Sequence, residues 1–140
     1  RLVALDALPR GSILAHGVHL TAGQVREAER RGCWLVQNPR SNRGNRVGYP
    51  SALRASGRVA LGTDGYPSDL DAEQTALMEE ARAHGDALAR AARRADAGRA
   101  LLAERFGAEP RAQAVPLDLE AIRVEAAAEA QRLWSRMAEL

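Results

Sequence analysis

Three short apolar runs constrain this chain more than any other feature. They are Ser12 to His16, Cys33 to Asn38 and Arg58 to Asp64. Each is dense in Val, Leu or Ile, and none alternates with polar residues. That is the pattern of a strand buried on both faces. Between the first two lies Thr21 to Arg31. Thr21 and Gln24 form a capping-box signature, and Gly32 stands where a helix should stop. Residues 12 to 38 are therefore expected to fold as strand, helix and parallel strand, close to the roughly 30 residues of a βαβ unit.

The second connection is less regular. Asn38 to Gly48 is rich in Asn, Arg, Gly and Pro, and is expected to be a loop. Pro50 to Ser56 has room only for a short helix, ended by Gly57. After Asp64 the chain should loop through Gly65 to Ser68. It should then enter a long helix from Asp69 to Arg93, with Gly85 as its weak point. A further helix is expected from Asp96 to Phe106, ended by Gly107. Residues 110–117 read as a connector. Asp118 then caps a last helix, on which Leu119, Ile122, Ala126, Ala130, Leu133 and Met137 make one apolar stripe. The expected class is α/β, with parallel strands followed by helices.

Composition closes off several functions. With 140 residues, 46% of them hydrophobic and 27% charged, the chain has the make-up of one folded domain rather than of a disordered tail. Its net charge of +2 is small beside the clustered excess of a nucleic-acid binder, so no nucleic acid is expected as a partner. All its basic residues other than histidine are Arg. The single cysteine, Cys33, with no CxxC, fits a reducing cytoplasm. No apolar stretch is long enough to span a membrane. The chain opens on Arg1 rather than Met, as expected of a sequence that starts inside a longer protein.

In parallel α/β folds the chemistry gathers at the carboxyl ends of the strands. Here the three runs end on His16, on Gln37 and Asn38, and on Asp64. Three successive strands thus deliver polar side chains to one rim. Gly62 and Gly65 flank the Thr63–Asp64 pair and remove bulk around it. Taken singly, each residue has a structural use. Asp64 can cap the turn that follows it. His16 can be a satisfied core histidine. Asn38 with Pro39 can open a turn, and Trp34 can pack in the core. His19 lies past its strand, His84 lies on a helix face, and Cys33 lies at the strand end away from the rim. Arg40, Arg43 and Arg46 can line a phosphate patch or simply a solvated loop.

As a set, "ILAHGVHLTAGQV", "WLVQNPRSNRGNRVGY" and "VALGTDGYPSDL" resemble the metal-dependent amidohydrolases. These enzymes are (β/α)8 TIM barrels. The likeness is strongest to the SsnA-type aminohydrolases and the wider chlorohydrolase–deaminase group. It covers residues 1 to 107, and "DLEAIRVEAAAEAQRLWSRM" resembles the C-terminal helix of the same enzymes. The resemblance implies the last three strand–helix units of a barrel, incomplete by itself, within residues 1–109. It places residues 110–117 where a small β domain is missing, and the C-terminal helix at 118–140.

The resemblance also implies roles. Asp64 matches the aspartate that ends the last barrel strand, a metal ligand and proton shuttle. His16 matches the histidine that ends the sixth strand and polarises or protonates the substrate. His19, Gln37, Asn38 and Asn42 would shape the substrate pocket, although Gln37 stands where relatives often carry a proton-exchanging histidine. The implied cofactor is a divalent metal, zinc or iron, and the implied substrate is a small molecule such as a nitrogen heterocycle. The implied reaction is hydrolysis of a C–N bond by metal-activated water. The family's remaining ligands, a His-x-His pair and another histidine, are absent, since the only histidines are His16, His19 and His84. The 140 residues alone are therefore expected to be inactive. A non-catalytic remnant, folding as a small α/β assembly or a homo-oligomer that covers its open edges, is the alternative. A weak anion or nucleic-acid binder using Arg40, Arg43, Arg46 and Arg54 is a third.

Overall fold

The computed structural model describes residues 2–107 and 118–138. The chain divides into two units, Arg1–Glu109 and Pro110–Leu140. The first unit is built on a three-stranded sheet of β1 (Ile13–Ala15), β2 (Trp34–Gln37) and β3 (Val59–Leu61). All neighbours are parallel and in sequence order, with Leu14 opposite Leu35 and Leu35 opposite Val59. The class is α/β, as expected.

The first crossover is helix α1 (Ala22–Arg30). Its capping box is complete. Thr21 Oγ1 accepts from the Gln24 N–H at 3.3 Å, and Gln24 Oε1 accepts from the Thr21 N–H at 2.8 Å. Two otherwise unpaired donors are thereby satisfied by local sequence alone. Residues on one face of the sheet, Leu14, Leu35 and Val59, pack with Val25 of α1 and with Leu53 on the 3-10 turn Ser51–Ala55. This is the main core. A second cluster joins Tyr49 and Leu61 to Leu77 and Ala81 of helix α3 (Leu70–Ala83) and to Ala91 of helix α4 (Leu88–Phe106).

Three expectations need correction. The first strand is not buried on both faces: β1 is an edge, and Ile13 is 55% exposed. Residues 38 to 48 are not all loop. Pro39–Gly44 form a short helix, α2, with Pro39 in its first turn, where a missing N–H costs nothing. Tertiary contact holds it, because Glu73 of α3 accepts both the Arg40 backbone N–H (3.0 Å) and Arg40 Nε (2.8 Å).

The long helical stretch breaks at its expected weak point, Gly85, and not between Arg93 and Asp96. The chain leaves the helix at His84 to Ala87, where Gly85 takes φ +64°. Helix α4 then runs unbroken through Arg94 to Asp96. Arg94 explains this, since it is 3% exposed and its Nη2 donates to Asp86 Oδ2 at 2.9 Å, fixing the turn to the helix that follows. Asp96 therefore starts no helix.

The second unit contains helix α5 (Leu119–Ala138), and Asp118 Oδ1 accepts from the Ala121 N–H at 3.0 Å, as the sequence suggests. The connector expected at 110–117 lies outside the described residues. Among the described residues, no helix is long and apolar enough to cross a membrane.

Candidate functional site

The carboxyl ends of the strands form one rim. The His16 N–H still donates to Val36 O at 2.8 Å, extending the ladder one residue past β1. There the backbone turns left-handed, with His16 at φ +64°. Asp64, three residues past β3, is left-handed too, at φ +51°. Among the described residues only four non-glycine residues have positive φ, and His16 and Asp64 are two of them. Histidine and aspartate tolerate this region better than most residues, but it still costs energy. The turns aim both side chains at each other: His16 Nε2 lies 3.6 Å from Asp64 Oδ2.

Each partner is held by residues at the start of α2 or on it. His16 Nδ1 lies 2.8 Å from Asn42 Oδ1 and 3.4 Å from Asn38 Nδ2. One ring nitrogen cannot donate to the first and accept from the second. The shorter contact assigns the proton to Nδ1, donating to Asn42, and leaves Nε2 as a lone pair facing Asp64. Ser41 Oγ donates to Asp64 Oδ2 at 2.6 Å. This bond holds the Asp64 carboxyl below its usual range. Partial desolvation opposes it, while the charge of His16, when its ring is protonated, and the Gly65 N–H add to it. Asp64 is thus an anion at neutral pH.

With the ring neutral, two acceptors face each other across 3.6 Å. Such a gap attracts a proton, a water or a cation. Two ligands of a tetrahedral zinc ion stand about 3.4 Å apart, so the spacing suits two corners of such a site. The number of ligands does not suit it. Among the described residues no group of three His, Cys, Asp or Glu converges, and a catalytic zinc takes about three protein ligands. By themselves the described residues therefore do not complete a metal site.

Gly62 is needed for the rim to close. A Cβ there would sit 2.5 Å from Asn38 Oδ1 and 2.6 Å from Val36 Cγ1. Gly65 has no such constraint, since a Cβ there would meet open space, contrary to the role the sequence suggests for it.

His16, Asn42 and Asp64 share an open groove of about 990 Å³ with His19 and with apolar walls that include Leu8, Val18 and Val47. His19 is exposed on a turn. Asn38 and Asn42 are 4% and 3% exposed, and Asn42 Nδ2 has no partner among the described residues. Gln37 does not join this set. Alternation along β2 puts it on the Leu35 face, where its Oε1 accepts from Arg94 Nη1 at 2.6 Å. There it belongs to a buried network with Asp86 and Tyr49, whose hydroxyl donates to Asp86 Oδ2 at 2.7 Å. His84 stacks on Tyr49 at 4.8 Å, and Cys33 is buried below the sheet ends. Arg40 and Arg43 are paired with Glu73 and Glu79, so they form no phosphate patch.

Ser41 was not legible as a site residue. The signal was present, because Asn38, Ser41, Asn42 and Asn45 recur at helical spacing. Taken as a loop, the stretch conceals it.

Part of the chain is similar to a deaminase. The 5-methylthioadenosine/S-adenosylhomocysteine deaminase of Haloquadratum walsbyi is 38% identical over 80 residues, which is 55% of this chain and 18% of that protein. The enzyme of the same name from Halobacterium salinarum is 42% identical over 67 residues, 46% of this chain and 16% of that protein. The matched stretch is thus less than a fifth of either relative. No family model and no solved structure matches the chain.

Proposed function

We propose that this chain is the C-terminal part of an amidohydrolase barrel and carries the proton-handling pair of a deaminase. The enzyme would hydrolyse a C–N bond of a nitrogen heterocycle, the adenine-bearing class named by the relatives being the first choice of substrate. One observation carries this reading: His16 and Asp64, each in strained left-handed backbone, face each other at 3.6 Å at the ends of parallel strands. Asp64, kept ionised by Ser41, accepts a proton from the attacking water and returns it to the leaving amine. His16, with Nδ1–H fixed by Asn42, presents Nε2 to the reacting group. Asn38 and Asn42 wall the pocket, and His19 stands at its edge. The implied divalent metal, zinc or iron, would supply an activated water when bound. Its other donors would come from chain that these residues do not include, so the 140 residues alone should not turn over substrate.

A graft tests this. The stretch of this chain matched by the Haloquadratum walsbyi deaminase replaces its counterpart in that enzyme, and ammonia release from 5-methylthioadenosine is measured. The expected result is a folded, active chimera that loses at least about a thousandfold in rate with Asp64→Asn. A folded chimera without activity would favour the non-catalytic remnant, and an active chimera indifferent to Asp64→Asn would remove Asp64 from the mechanism.

A further inference from the structure

The arginines of the chain separate into two groups that the sequence does not distinguish. Arg40 and Arg43 are neutralised by acids of α3. Arg54 instead meets two arginines from a different segment. It sits on the 3-10 turn Ser51–Ala55, while Arg90 and Arg93 lie one turn apart on α4. Arg90 Nη1 donates to the Arg54 carbonyl at 2.5 Å, which ties the two elements together. The three line one hollow of about 260 Å³ with Ala55, Ser56, Gly57, Val59 and Arg94, and no carboxylate is in the lining. None of the three takes part in an ion pair among the described residues. Arg94 is different, since Asp86 neutralises it. Glu29 borders the hollow at Gly57, and its Oε1 accepts from the Gly57 N–H at 3.1 Å.

We propose that the hollow between Arg54, Arg90 and Arg93 binds a compact oxyanion, a phosphate or diphosphate group. Three arginines without a carboxylate partner line this one hollow, and planar guanidinium forks match phosphate oxygens. A neutral donor is at hand as well. Ser56 is 8% exposed and its Oγ accepts from the Arg58 N–H at 2.9 Å, which leaves its own O–H for another partner. The volume suits a group of a few heavy atoms. The hollow also lies at the amino end of β3, whereas Asp64 follows its carboxyl end. It is thus separate from the rim and does not depend on the chemistry proposed there.

The test is calorimetric titration of the full chain with pyrophosphate and with inorganic phosphate at physiological salt. Saturable one-to-one binding of pyrophosphate is expected, weakened at least about tenfold in the Arg90→Gln/Arg93→Gln double variant. Asp64→Asn should bind as the parent does, whatever becomes of the deaminase reading. A nucleoside diphosphate binding more tightly than pyrophosphate would identify a phosphorylated small molecule as the source, and equal binding would identify the free anion. No saturable binding at millimolar pyrophosphate, or equal binding by a double variant that melts as the parent does, would overturn the proposal. A short single-stranded oligonucleotide that outcompetes pyrophosphate would overturn the assignment to a small ligand.

Discussion

Ser41 and Asn42 decide what His16 and Asp64 can do. A histidine and an aspartate on adjoining loops are common. A pair in which the far nitrogen of the histidine and the aspartate oxygen that faces it are both tied to neighbouring residues of one helix, across 3.6 Å, is already oriented for proton transfer. Ser41 is the testable member. Its hydroxyl is the main reason the Asp64 carboxyl titrates low. Ser41→Ala should move that titration up toward the ordinary aspartate value, read by carbon NMR of the carboxyl. The sign for stability follows from linkage. A carboxyl lower in the folded than in the unfolded chain adds stability that is complete above its unfolded value, about pH 4, and is lost as pH falls through the folded value. Ser41→Ala should therefore remove that contribution at neutral pH, flatten the acid limb of the stability profile between those values, and leave this group's contribution unchanged only below the folded value. An unchanged Asp64 titration would show that the hydroxyl does not engage it.

At the scale of elements, the difference between what was legible and what was not is a difference between local and tertiary causes. Helix α1 is written in Thr21, Gln24 and Gly32, residues that act within a turn of themselves. The strands are written in unbroken apolar runs, although β1 turns out to be an edge because the sequence does not say how many neighbours a strand has. Helix α2 is held by Glu73, 33 positions away from Arg40, and the unbroken path of α4 is held by Arg94 on Asp86. No local pattern announces either. Glu73 side-chain burial is complete, and it accepts from the Arg40 backbone as well as its guanidinium. Glu73→Ala should strand the Arg40 charge, part the α2–α3 contact and cost about 3 kcal/mol in urea unfolding. It should also loosen Ser41 and Asn42, which ride on α2. A loss within half a kcal/mol, on the order of a surface substitution, would show that α2 stands without it.

Across the first unit, the sheet has two edges, β1 and β3, with no further strand beside either among the described residues. The outer edge of β1 has no strand beside it among the described residues, Ile13 is exposed, and the groove next to the His16–Asp64 pair is apolar. Parallel sheets are ordinarily covered on both faces. A relative about five times longer than the matched stretch has chain enough to supply that cover. The same incompleteness governs the chemistry, because two donors at the rim can orient a metal but cannot hold one as a catalytic site does. The most direct measurement is therefore zinc content of the purified 140-residue chain after equilibration with zinc and dialysis against a chelator, beside Asp64→Ala. The proposal predicts far less than one zinc per chain in both proteins. One zinc per parent chain, lost in Asp64→Ala, would contradict it and show that these residues close a metal site on their own.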